Sequence, residues 1–392
     1  MKGIFHVLLL GALLAAGACK NDPVRPTDAC MVGGPDSSAL HPKAAAFQAL
    51  LDRYVQKGLP GIVLLVRDPA GRWVGAAGMA DIDRGIALQP CHVSKVASVT
   101  KLFTGVLVMK LVEQGLLRLD DPLTKWLPAK YTSKVKNADR CTLRQLLNHT
   151  SGIYDIIEDN AFYLNVLNDP AREWKPEELL EFAYGKDPVF PVGTDVEYSN
   201  TNFLLAAMVL EAATGRSHAE LMHELILDPL RLTHSYYHWH DPLPGFTAQG
   251  YFDLYHDGSL VNMSNFNTGS GNGYGGLYST VYDLQVFIEA LLRDKTLLTP
   301  GGLAAMTEIT AQSAEQEAYG VAIRKDFLER PPGQFALGHR GRDLAYTADL
   351  FYFPDQDLTM ACLINYGTDA KSDLQAVFYQ FRTEMVDIML QR

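Results

Sequence analysis

Ala97-Ser-Val-Thr-Lys-Leu-Phe-Thr-Gly105 begins a segment that is apolar on almost every side and continues to Glu113. Such a pattern predicts a buried helix that opens at Ser98 and ends before Gly115. Lys101 falls one turn after Ser98 on the same face of that helix. Burial disfavours a lysine cation, so this amine can accept a proton from a neighbour. We therefore predict that Ser98 is a nucleophile, assisted by Lys101 and by the N–H groups at the start of the helix.

The same spacing also permits a simpler interpretation, in which Ser98 is an N-cap and Lys101 extends to solvent. A second Ser-x-x-Lys pattern, Ser133-Lys-Val-Lys136, lies in a polar stretch that is typical of a solvated loop. Because only the first pattern stands in an apolar helix, we favour the catalytic interpretation for Ser98.

Strands are predicted near both ends of the chain, with helices between them. A helix at 46–55 precedes a β-hairpin formed by 61–66 and 73–77. The middle has helical patterns at 143–148, 177–183, 202–213, 218–226 and 281–292. The tail has short strand-like runs at 319–323, 335–338, 348–353 and 358–364, followed by an amphipathic helix at 372–390. We predict an α/β fold with an antiparallel sheet built from both chain ends and flanked by helices, plus an inserted, mainly helical lobe.

These patterns define one domain at 42–392, with an α/β lobe at about 42–95 and 315–392 and a helical lobe at about 96–314. A cleft between two lobes is a common place for a binding site. The segment at 19–41 holds several Pro, Gly, Asp and Ser residues and predicts a tether.

Residues 1–18 resemble a signal peptide, with a positive start at Lys2 and an apolar run of about 15 residues that is too short to span a membrane. The run ends in Ala16-Gly-Ala-Cys19. This sequence fits a bacterial lipoprotein with lipid on Cys19, and it also fits ordinary signal-peptidase cleavage. We expect an exported, periplasmic protein that is attached to the membrane if Cys19 is lipidated.

Charge and cysteine content restrict the remaining possibilities. The 392-residue chain has a formal net charge of −11 and no basic block, so nucleic acid is an unsuitable partner. We expect a small-molecule or peptide substrate and a monomer. Among the cysteines other than Cys19, a Cys30–Cys91 disulfide is favoured because both lie in polar, irregular segments, while Cys141 and Cys362 adjoin apolar residues and are predicted to be buried thiols.

A second candidate motif is Tyr198-Ser-Asn200, in a loop before a helix that begins near Asn202. The pKa of a tyrosine is ordinarily about 10, and a nearby lysine cation would make its phenolate accessible. Asn200 could hold a substrate amide through both of its polar atoms. A turn in which the asparagine is only an N-cap is the alternative.

A third motif, His339-Arg-Gly341, follows the strand predicted at 335–338. Gly341 would let a ligand lie close to the strand edge. His339 can donate to a group in the cleft or titrate with it. Arg340 or Arg342 could pair with a substrate carboxylate, although strand alternation places both arginines opposite His339, where a solvated edge is also possible.

These three motifs and Leu146-Leu-Asn-His-Thr-Ser-Gly-Ile153 occur in the order 97–105, 146–153, 198–203 and 338–341. In this order they resemble the class C β-lactamase and D-alanyl-D-alanine carboxypeptidase superfamily, which is penicillin-binding-protein-like, over about residues 42–385. The resemblance implies a β-lactamase/transpeptidase-like fold and a serine hydrolase that works through an acyl-enzyme without a cofactor. It implies that Ser98 is the nucleophile, Lys101 its helical partner and Tyr198 the general base.

The resemblance also assigns substrate-binding positions. Asn200 matches the substrate-positioning amide and Gly341 the strand glycine, while the N–H groups of Ser98 and Arg342 would form the oxyanion hole. His339 stands where classical β-lactamases have lysine, which is more similar to the esterase and peptidase branches. We expect D-alanyl peptides or related amides as substrates. A β-lactamase or carboxylesterase, and a penicillin- or peptidoglycan-binding protein without turnover, are the alternatives.

Two further histidine groups have simpler interpretations. His149 is expected to be a buried hydrogen-bonding residue. His234, His238 and His240 with Asp241 suggest a surface strand rich in Tyr and His, in preference to a metal site. We expect no metal and no cofactor.

Overall fold

The structure is a computed structural model that describes residues 24–31, 38–313, 317–368 and 372–391. The predicted signal peptide, Cys19 and much of the predicted tether lie outside the described residues. Among those described, no helix is both long and apolar enough to cross a bilayer.

A nine-stranded antiparallel sheet forms the centre of the fold, with strands from both ends of the chain. The described residues form fourteen strands, of which nine make this sheet and five make two smaller sheets. They are β1 Gly61–Asp68, β2 Gly71–Asp81, β3 Ile86–Ala87, β4 Ser94–Lys95, β5 Tyr236–Tyr237, β6 Tyr251–Phe252, β7 Val261–Asn262, β8 Leu277–Ser279, β9 Ala311–Gln312, β10 Ala318–Tyr319, β11 Arg324–Asp326, β12 Ala336–Arg342, β13 Thr347–Phe353 and β14 Leu358–Ile364. The sheet order is β3-β2-β1-β14-β13-β12-β11-β10-β9. Since β1 pairs with β14, the sheet joins strands from the two ends of the chain, as predicted.

Helices cover both faces of this sheet. They are α1 Ala44–Gln56, α2 Thr100–Glu113, α3 Ala129–Thr132, α4 Leu143–Leu147, α5 Asn160–Asn168, α6 Pro176–Leu180, α7 Asn200–Thr214, α8 His218–Met222, α9 Val281–Ile288, α10 Pro300–Thr307 and α11 Gln375–Leu390. The terminal helices α1 and α11 lie on one face, and most of the others form the inserted helical region on the opposite face. The predicted fold class is therefore confirmed.

The two cores are separated by the alternation of side chains along each strand. In β1, Ile62, Leu64 and Val66 pack toward α1 and α11. Val63 and Leu65 point to the other side and join the core around α2. Because both faces are covered, β1 is apolar at nearly every position and was recognisable as a buried strand.

Helix α2 lies inside the second core and is buried on every side. Phe103 stacks on Phe287 of α9, with ring centroids 3.6 Å apart. Gly105 faces Ala322 so closely that a Cβ on the glycine would be 2.3 Å from the alanine Cβ. This packing fixes the start of α2, which is where the candidate nucleophile stands.

The predicted strand at 319–323 is wrong. β10 ends at Tyr319 and β11 begins at Arg324, with a turn between them in which Ala322 has a φ of 56°. Val321 and Ile323 are buried in the α2 core, so the apolar run that suggested a strand reflects packing of a turn. Helix α10 was missed because Pro300-Gly-Gly302 is a poor helical sequence; the hydroxyl of Thr299 caps its first turn.

Cysteine placement agrees with the sequence prediction. Cys30 and Cys91 form a disulfide, and Cys141 and Cys362 are buried thiols. The bridge ties the segment 24–31 to the body of the protein, where the backbone N–H of Asp28 also donates to the carbonyl of Gly245.

Replacing both Cys30 and Cys91 with serine should lower the free energy of unfolding by about 4 kcal/mol, because the bridge joins residues 61 apart and restricts the unfolded chain. Urea unfolding of the wild type and the variant, each with and without a reductant, measures this difference. The reductant should destabilise only the wild type. Identical midpoints for the two proteins without reductant would show that the bridge is absent.

Candidate active site

Ser98 stands in a tight turn that leads into α2. Ala97–Val99 form a single 3-10 turn, and Ala97 has a φ of 49°, in the left-handed region that is unfavourable for a residue with a side chain. The Thr100 hydroxyl holds this turn by donating to the carbonyl of Ala97 at 2.7 Å. The serine hydroxyl is thereby presented to a cleft while the rest of the helix stays in the core.

The Lys101 side chain is fully buried and its amine contacts three oxygen atoms. Its Nζ lies 3.1 Å from the Ser98 Oγ, 2.7 Å from the Asn200 Oδ1 and 2.8 Å from the carbonyl oxygen of Tyr274. The predicted alternative, a lysine that extends to solvent, is therefore wrong. The predicted contact between the lysine and the serine is present.

The chemistry of these partners directs the amine toward Ser98. Carbonyl and amide oxygens only accept hydrogen bonds, so the partners at Asn200 and Tyr274 each require an N–H from Lys101. A neutral amine has two N–H groups and one lone pair. Its two hydrogens are used by these carbonyls, and its lone pair is then left for the Ser98 hydroxyl, which can donate a proton to it.

Burial lowers the pKa of Lys101 well below its ordinary range, and the carboxylates of Asp155 and Asp343 oppose this effect only in part. Burial also raises the pKa of Asp155. The neutral amine is thus accessible at a pH far below that of an exposed lysine, which makes Lys101 a competent base.

Tyr198 contacts the other side of the Ser98 hydroxyl. Its phenol is hydrogen-bonded to the Ser98 hydroxyl, and the Lys101 Nζ lies 4.9 Å from the centre of its ring. The predicted meeting of these three side chains is therefore observed. The ring of His149 packs on Tyr198 with centroids 4.6 Å apart, and its Nδ1 accepts from the backbone N–H of Ser199 at 3.2 Å. His149 is a buried hydrogen-bonding residue, as expected.

The expectation of a lowered Tyr198 pKa is wrong. Burial raises the pKa of Tyr198 well above 10, and the hydrogen bond with Ser98 lowers it only in part. Because Lys101 is itself easily neutralised, it does not supply the fixed cation that the sequence argument assumed. The phenol stays protonated, so it is suited to donate a hydrogen bond or a proton.

Asn200 lies in the site but has a different set of partners from the one predicted. Its Oδ1 accepts from Lys101, and its Nδ2 donates to Asp155 at 2.9 Å. Both polar atoms are thus already engaged within the protein, although one amide hydrogen remains. The asparagine connects the lysine to a buried carboxylate and thereby fixes the position of the amine. It is also the first residue of α7, two residues earlier than predicted.

His339 is buried at the wall of the cleft, 6.3 Å from the Tyr198 ring centre. Its Nδ1 lies 2.6 Å from the carbonyl oxygen of Arg340, so this nitrogen carries the hydrogen and Nε2 is the acceptor of a neutral ring. Burial and the nearby Lys101 lower the pKa of His339 well below its ordinary value. The ring is therefore neutral where a lysine would be charged.

Gly341 serves a close contact within the protein. A Cβ at this position would lie 2.1 Å from the carbonyl oxygen of Val96, so only glycine lets β12 approach the turn that carries Ser98. The approach of a ligand to the strand at Gly341 stays a prediction. The structure adds that this glycine lets the strand lie against the turn that carries Ser98.

The backbone of Arg342 is oriented for an oxyanion hole. The N–H of Asp343 donates to the carbonyl of Tyr346, the residue just before β13. Since N–H directions alternate along an antiparallel strand, the N–H of Arg342 points away from β13. On that side, β12 pairs with β11 only as far as Gly338 and Arg324, so this pairing does not reach Arg342. Arg342 and Ser98 line the same cleft, as the prediction of two oxyanion donors requires.

The guanidinium of Arg342, which the sequence offered as a partner for a substrate carboxylate, is already engaged within the protein. It is 2.9 Å from the Asp349 carboxylate and stacks over Phe378 on the opposite side of the sheet. The Arg340 guanidinium remains at the cleft, where it pairs with Glu317 at 3.0 Å.

The cleft around Ser98 has two parts. The larger, of about 780 Å³, is lined by Tyr198 and His339 and by charged residues of both signs. The smaller, of about 400 Å³, is lined by Tyr163, Tyr274 and Asp343. Ser98 lies where the two parts meet, because it lines both of them.

Sequence reasoning missed Asp155 and Asp343. Asp155 comes two residues after the Leu146–Ile153 motif. That motif indicated a segment near the site but did not identify this carboxylate. Asp343 follows Arg342 directly, where charge was expected to face solvent.

The other histidine group does not form a strand. β5 ends at Tyr237, and Trp239 has a φ of 73°, so His240 lies in a turn, while His238 forms an isolated bridge to Asp241. His223 pairs with Asp241 at 2.9 Å. In the part of the chain that the structure describes, no group of three or more His, Cys, Asp or Glu is placed to hold a metal ion.

Comparison with known proteins finds relatives that share part of the chain. Teichoic acid D-alanine hydrolase of Staphylococcus aureus is 28% identical over 246 residues, which are 62% of this chain and 57% of that protein. Protein flp of Staphylococcus aureus (strain N315) is 29% identical over 223 residues, which are 56% of this chain and 43% of that protein. The chain thus spans about half the length of these curated relatives.

Solved structures match nearly the whole fold. A D-stereospecific amidohydrolase from Streptomyces sp. is 32% identical with a TM-score of 0.74, covering 88% of this chain and 98% of that one. The D-amino acid amidase from Ochrobactrum anthropi SV3 has a TM-score of 0.77 at 23% identity, covering 88% and 97% of the two chains, and supports the fold alone. The profile of the Beta-lactamase family matches residues 44–382. The chain belongs to the Beta-lactamase family and is a hydrolase of that family.

Proposed function

We propose that this hydrolase acts through an acyl-enzyme on Ser98 and cleaves the amide or ester bond at the carbonyl of a D-amino acid. The observation that carries this proposal is the placement of Ser98 between the lone pair of a buried Lys101 amine and the phenol of Tyr198. A hydroxyl with a base on one side and a proton donor on the other is suited to nucleophilic attack followed by expulsion of a leaving group.

In the first half-reaction, the Ser98 Oγ attacks the carbonyl carbon as its proton passes to Lys101. The N–H groups of Ser98 and Arg342 stabilise the oxyanion. The C–N or C–O bond then breaks as the departing atom takes a proton from Tyr198, and the Lys101 ammonium returns a proton to the resulting phenolate. The amine or alcohol leaves, and the acyl group remains as an ester on Ser98.

In the second half-reaction, a water molecule attacks the ester and gives one proton to Lys101. The acyl–Oγ bond breaks, and this proton returns to Ser98. The product is the free acid, and all three side chains recover their starting protonation. No redox step occurs in this cycle.

The D-amino acid preference is supported by the relatives. Their names describe a D-stereospecific amidohydrolase and a teichoic acid D-alanine hydrolase. This chain covers 98% of the D-stereospecific amidohydrolase at 32% identity, so that relative is the most relevant to the substrate.

The charges of the cleft favour a substrate with a free amino group. Each cleft arginine already faces a carboxylate, with Arg324 and Arg340 sharing Glu317. In contrast, Glu158 and Glu197 are exposed on the cleft wall. Among the described residues, Glu158 forms no ion pair. A substrate ammonium would therefore meet a carboxylate, that of Glu158, which can pair with it.

A second candidate is a D-Ala-D-Ala carboxypeptidase, which must recognise a terminal carboxylate. The observation in its favour is Arg340, whose side chain is 34% exposed at the cleft. A peptide carboxylate would have to compete there with Glu317.

An exported location is part of the proposal. It is supported by the Cys30–Cys91 disulfide, because such bridges persist in oxidising compartments.

Ser98→Ala should reduce kcat for a D-alanine anilide by at least about 1,000-fold, because it removes the nucleophile. The melting temperature should stay nearly constant, since the change deletes one atom from a partly exposed side chain. Rates should be compared for the D- and L-anilides, an acetylated D-anilide, a D-Ala-D-Ala peptide, an aryl ester and a chromogenic cephalosporin.

These substrates separate the alternatives. Full activity of Ser98→Ala would remove Ser98 from the mechanism. A clear preference for the D-Ala-D-Ala peptide would support the carboxypeptidase, and a preference for the cephalosporin or the aryl ester would support a β-lactamase or a carboxylesterase. A stable adduct seen by intact-mass spectrometry without turnover would indicate a binding protein.

The activity should rise with pH as Lys101 loses its proton. Below its pKa in the folded protein, the ammonium donates to all three oxygens and has no lone pair for Ser98. Because burial lowers this pKa, the acid limb of kcat/KM should lie well below the ordinary lysine value of about 10.4. Lys101→Arg, which keeps the charge and cannot act as a base, should be inactive. An acid limb near pH 10, or an active arginine variant, would contradict a basic role for Lys101.

Glu158→Gln should raise KM for the D-alanine anilide about two- to fivefold while changing kcat little, because it removes an exposed carboxylate that pairs with the ammonium. The acetylated anilide, which has no ammonium, should react equally with both proteins. Asp159→Asn is the matched control, because this neighbouring carboxylate pairs with Lys186. Equal KM values for Glu158→Gln and the wild type would exclude recognition of the amine by Glu158.

A further inference from the structure

A buried ion pair lies beside the nucleophile turn and is used by none of the steps above. The Nζ of Lys95 is 2.5 Å from the Asp343 carboxylate, with the two side chains 4% and 11% exposed. Lys95 comes three residues before Ser98, and Asp343 follows Arg342. The pair therefore joins the two segments that supply the oxyanion N–H groups.

The backbones of both segments are fixed close to this pair. Lys95 belongs to β4, which pairs with Tyr278 of β8, so its main chain is held in a small sheet. On the other segment, Gly341 lies against the carbonyl of Val96. The ion pair adds a second contact between the two segments, next to Arg342 at the end of β12.

The pair is also linked to the catalytic lysine through a third segment. The Thr268 hydroxyl donates to the Asp343 carboxylate at 2.8 Å. The carbonyl of Thr268 accepts from the Tyr274 hydroxyl at 2.8 Å, and the carbonyl of Tyr274 accepts from the Lys101 amine at 2.8 Å. A continuous chain of polar contacts thus runs from Lys95 through Asp343 to Lys101.

We propose that Lys95 and Asp343 are positioning residues that hold the N–H groups of Ser98 and Arg342 at the spacing needed to bind the oxyanion. This inference rests on the proposed acyl-enzyme mechanism. Oxyanion donors act only when they are placed correctly before the charge develops, and displacement by about 1 Å can cost about 100-fold in rate. A short, buried ion pair between the two segments restricts such displacement because separating it leaves two charges without partners.

Lys95→Met and Asp343→Asn should each lower kcat for the D-alanine anilide at least about tenfold, with KM within about threefold of the wild type. Lys95→Arg restores the cation and should retain more activity than Lys95→Met. The rate at which a fluorophosphonate probe labels Ser98 should fall in parallel, because its phosphoryl oxygen also needs the oxyanion donors. Labelling is measured by intact mass.

The double variant Lys95→Met/Asp343→Asn distinguishes positioning from a contribution to stability. It leaves no unpaired buried charge, so its melting temperature should recover relative to the single variants. Its kcat should stay low because the link between the segments is still missing. Arg67→Met is the matched control, since Arg67 forms a partly buried ion pair with Glu289 away from the cleft. It should lower the melting temperature and leave kcat unchanged.

The pH profile provides a signature that a stabilising role alone does not produce. Removing Lys95 leaves the Asp343 carboxylate to act on Lys101, so the acid limb should move to higher pH. Removing Asp343 leaves a nearby cation, so the limb should move to lower pH. The groups that face Lys101 are the carboxylates of Asp155 and Asp343, the rings of His149 and His339, and the phenol-bearing residues Tyr198 and Tyr274.

Two results would overturn the inference. The first is wild-type kcat and labelling in Lys95→Met and Asp343→Asn; the second is recovery of kcat together with stability in the double variant. Failure of the wild type itself to label at Ser98 would be a different result, because it would reject the acyl-enzyme mechanism on which the inference rests.

Discussion

A buried amine needs hydrogen-bond acceptors for its N–H groups. In this protein, two oxygen atoms from distant segments accept hydrogen bonds from Lys101. The Asn200 side chain is supplied by the start of α7, and the Tyr274 carbonyl by a loop before β8. The apolar surface of α2 drives the lysine into the core, and the polar contacts then decide which way its nitrogen points. The direction toward Ser98 is thus a consequence of satisfying the other hydrogen bonds. The reactivity of the serine depends on this constraint.

The packing of α2 also explains how a strained turn persists. Ala97 adopts an unfavourable conformation that costs about 1 kcal/mol or more. The turn is enclosed by β12 on one side, where Gly341 meets Val96, and its first helical residue, Thr100, fixes the carbonyl of Ala97. The buried helix behind the turn supplies far more favourable burial than this strain costs. The fold therefore keeps a serine at the cleft in a conformation that the local sequence alone would not select.

The sequence was sufficient to predict the sheet from both chain ends, the helical insertion and the meeting of Ser98 with Lys101 and Tyr198. These features leave local marks: apolar runs, helix boundaries and short ordered motifs. The partners of those residues leave no such marks. Asp155 and Asp343 are ordinary acids in the sequence, and the direction of the Asn200 amide depends on a carboxylate 45 residues away. The Tyr198 pKa was predicted with the wrong sign because burial, which has no local signature, outweighs the effect of its neighbours.

The distribution of charge separates catalysis from recognition. When Lys101 is deprotonated, the groups around Ser98 are a neutral amine, a protonated phenol at Tyr198 and a neutral ring at His339. Because these contacts of Ser98 are neutral, no separated pair of charges stands at the serine before it reacts. The charged groups that an incoming substrate meets lie at the cleft wall, where Arg340 is paired and Glu158 is exposed. An anionic substrate must displace an existing ion pair, whereas a cationic one meets an available carboxylate. The same cleft can therefore keep its catalytic chemistry while the wall selects the charge of what enters.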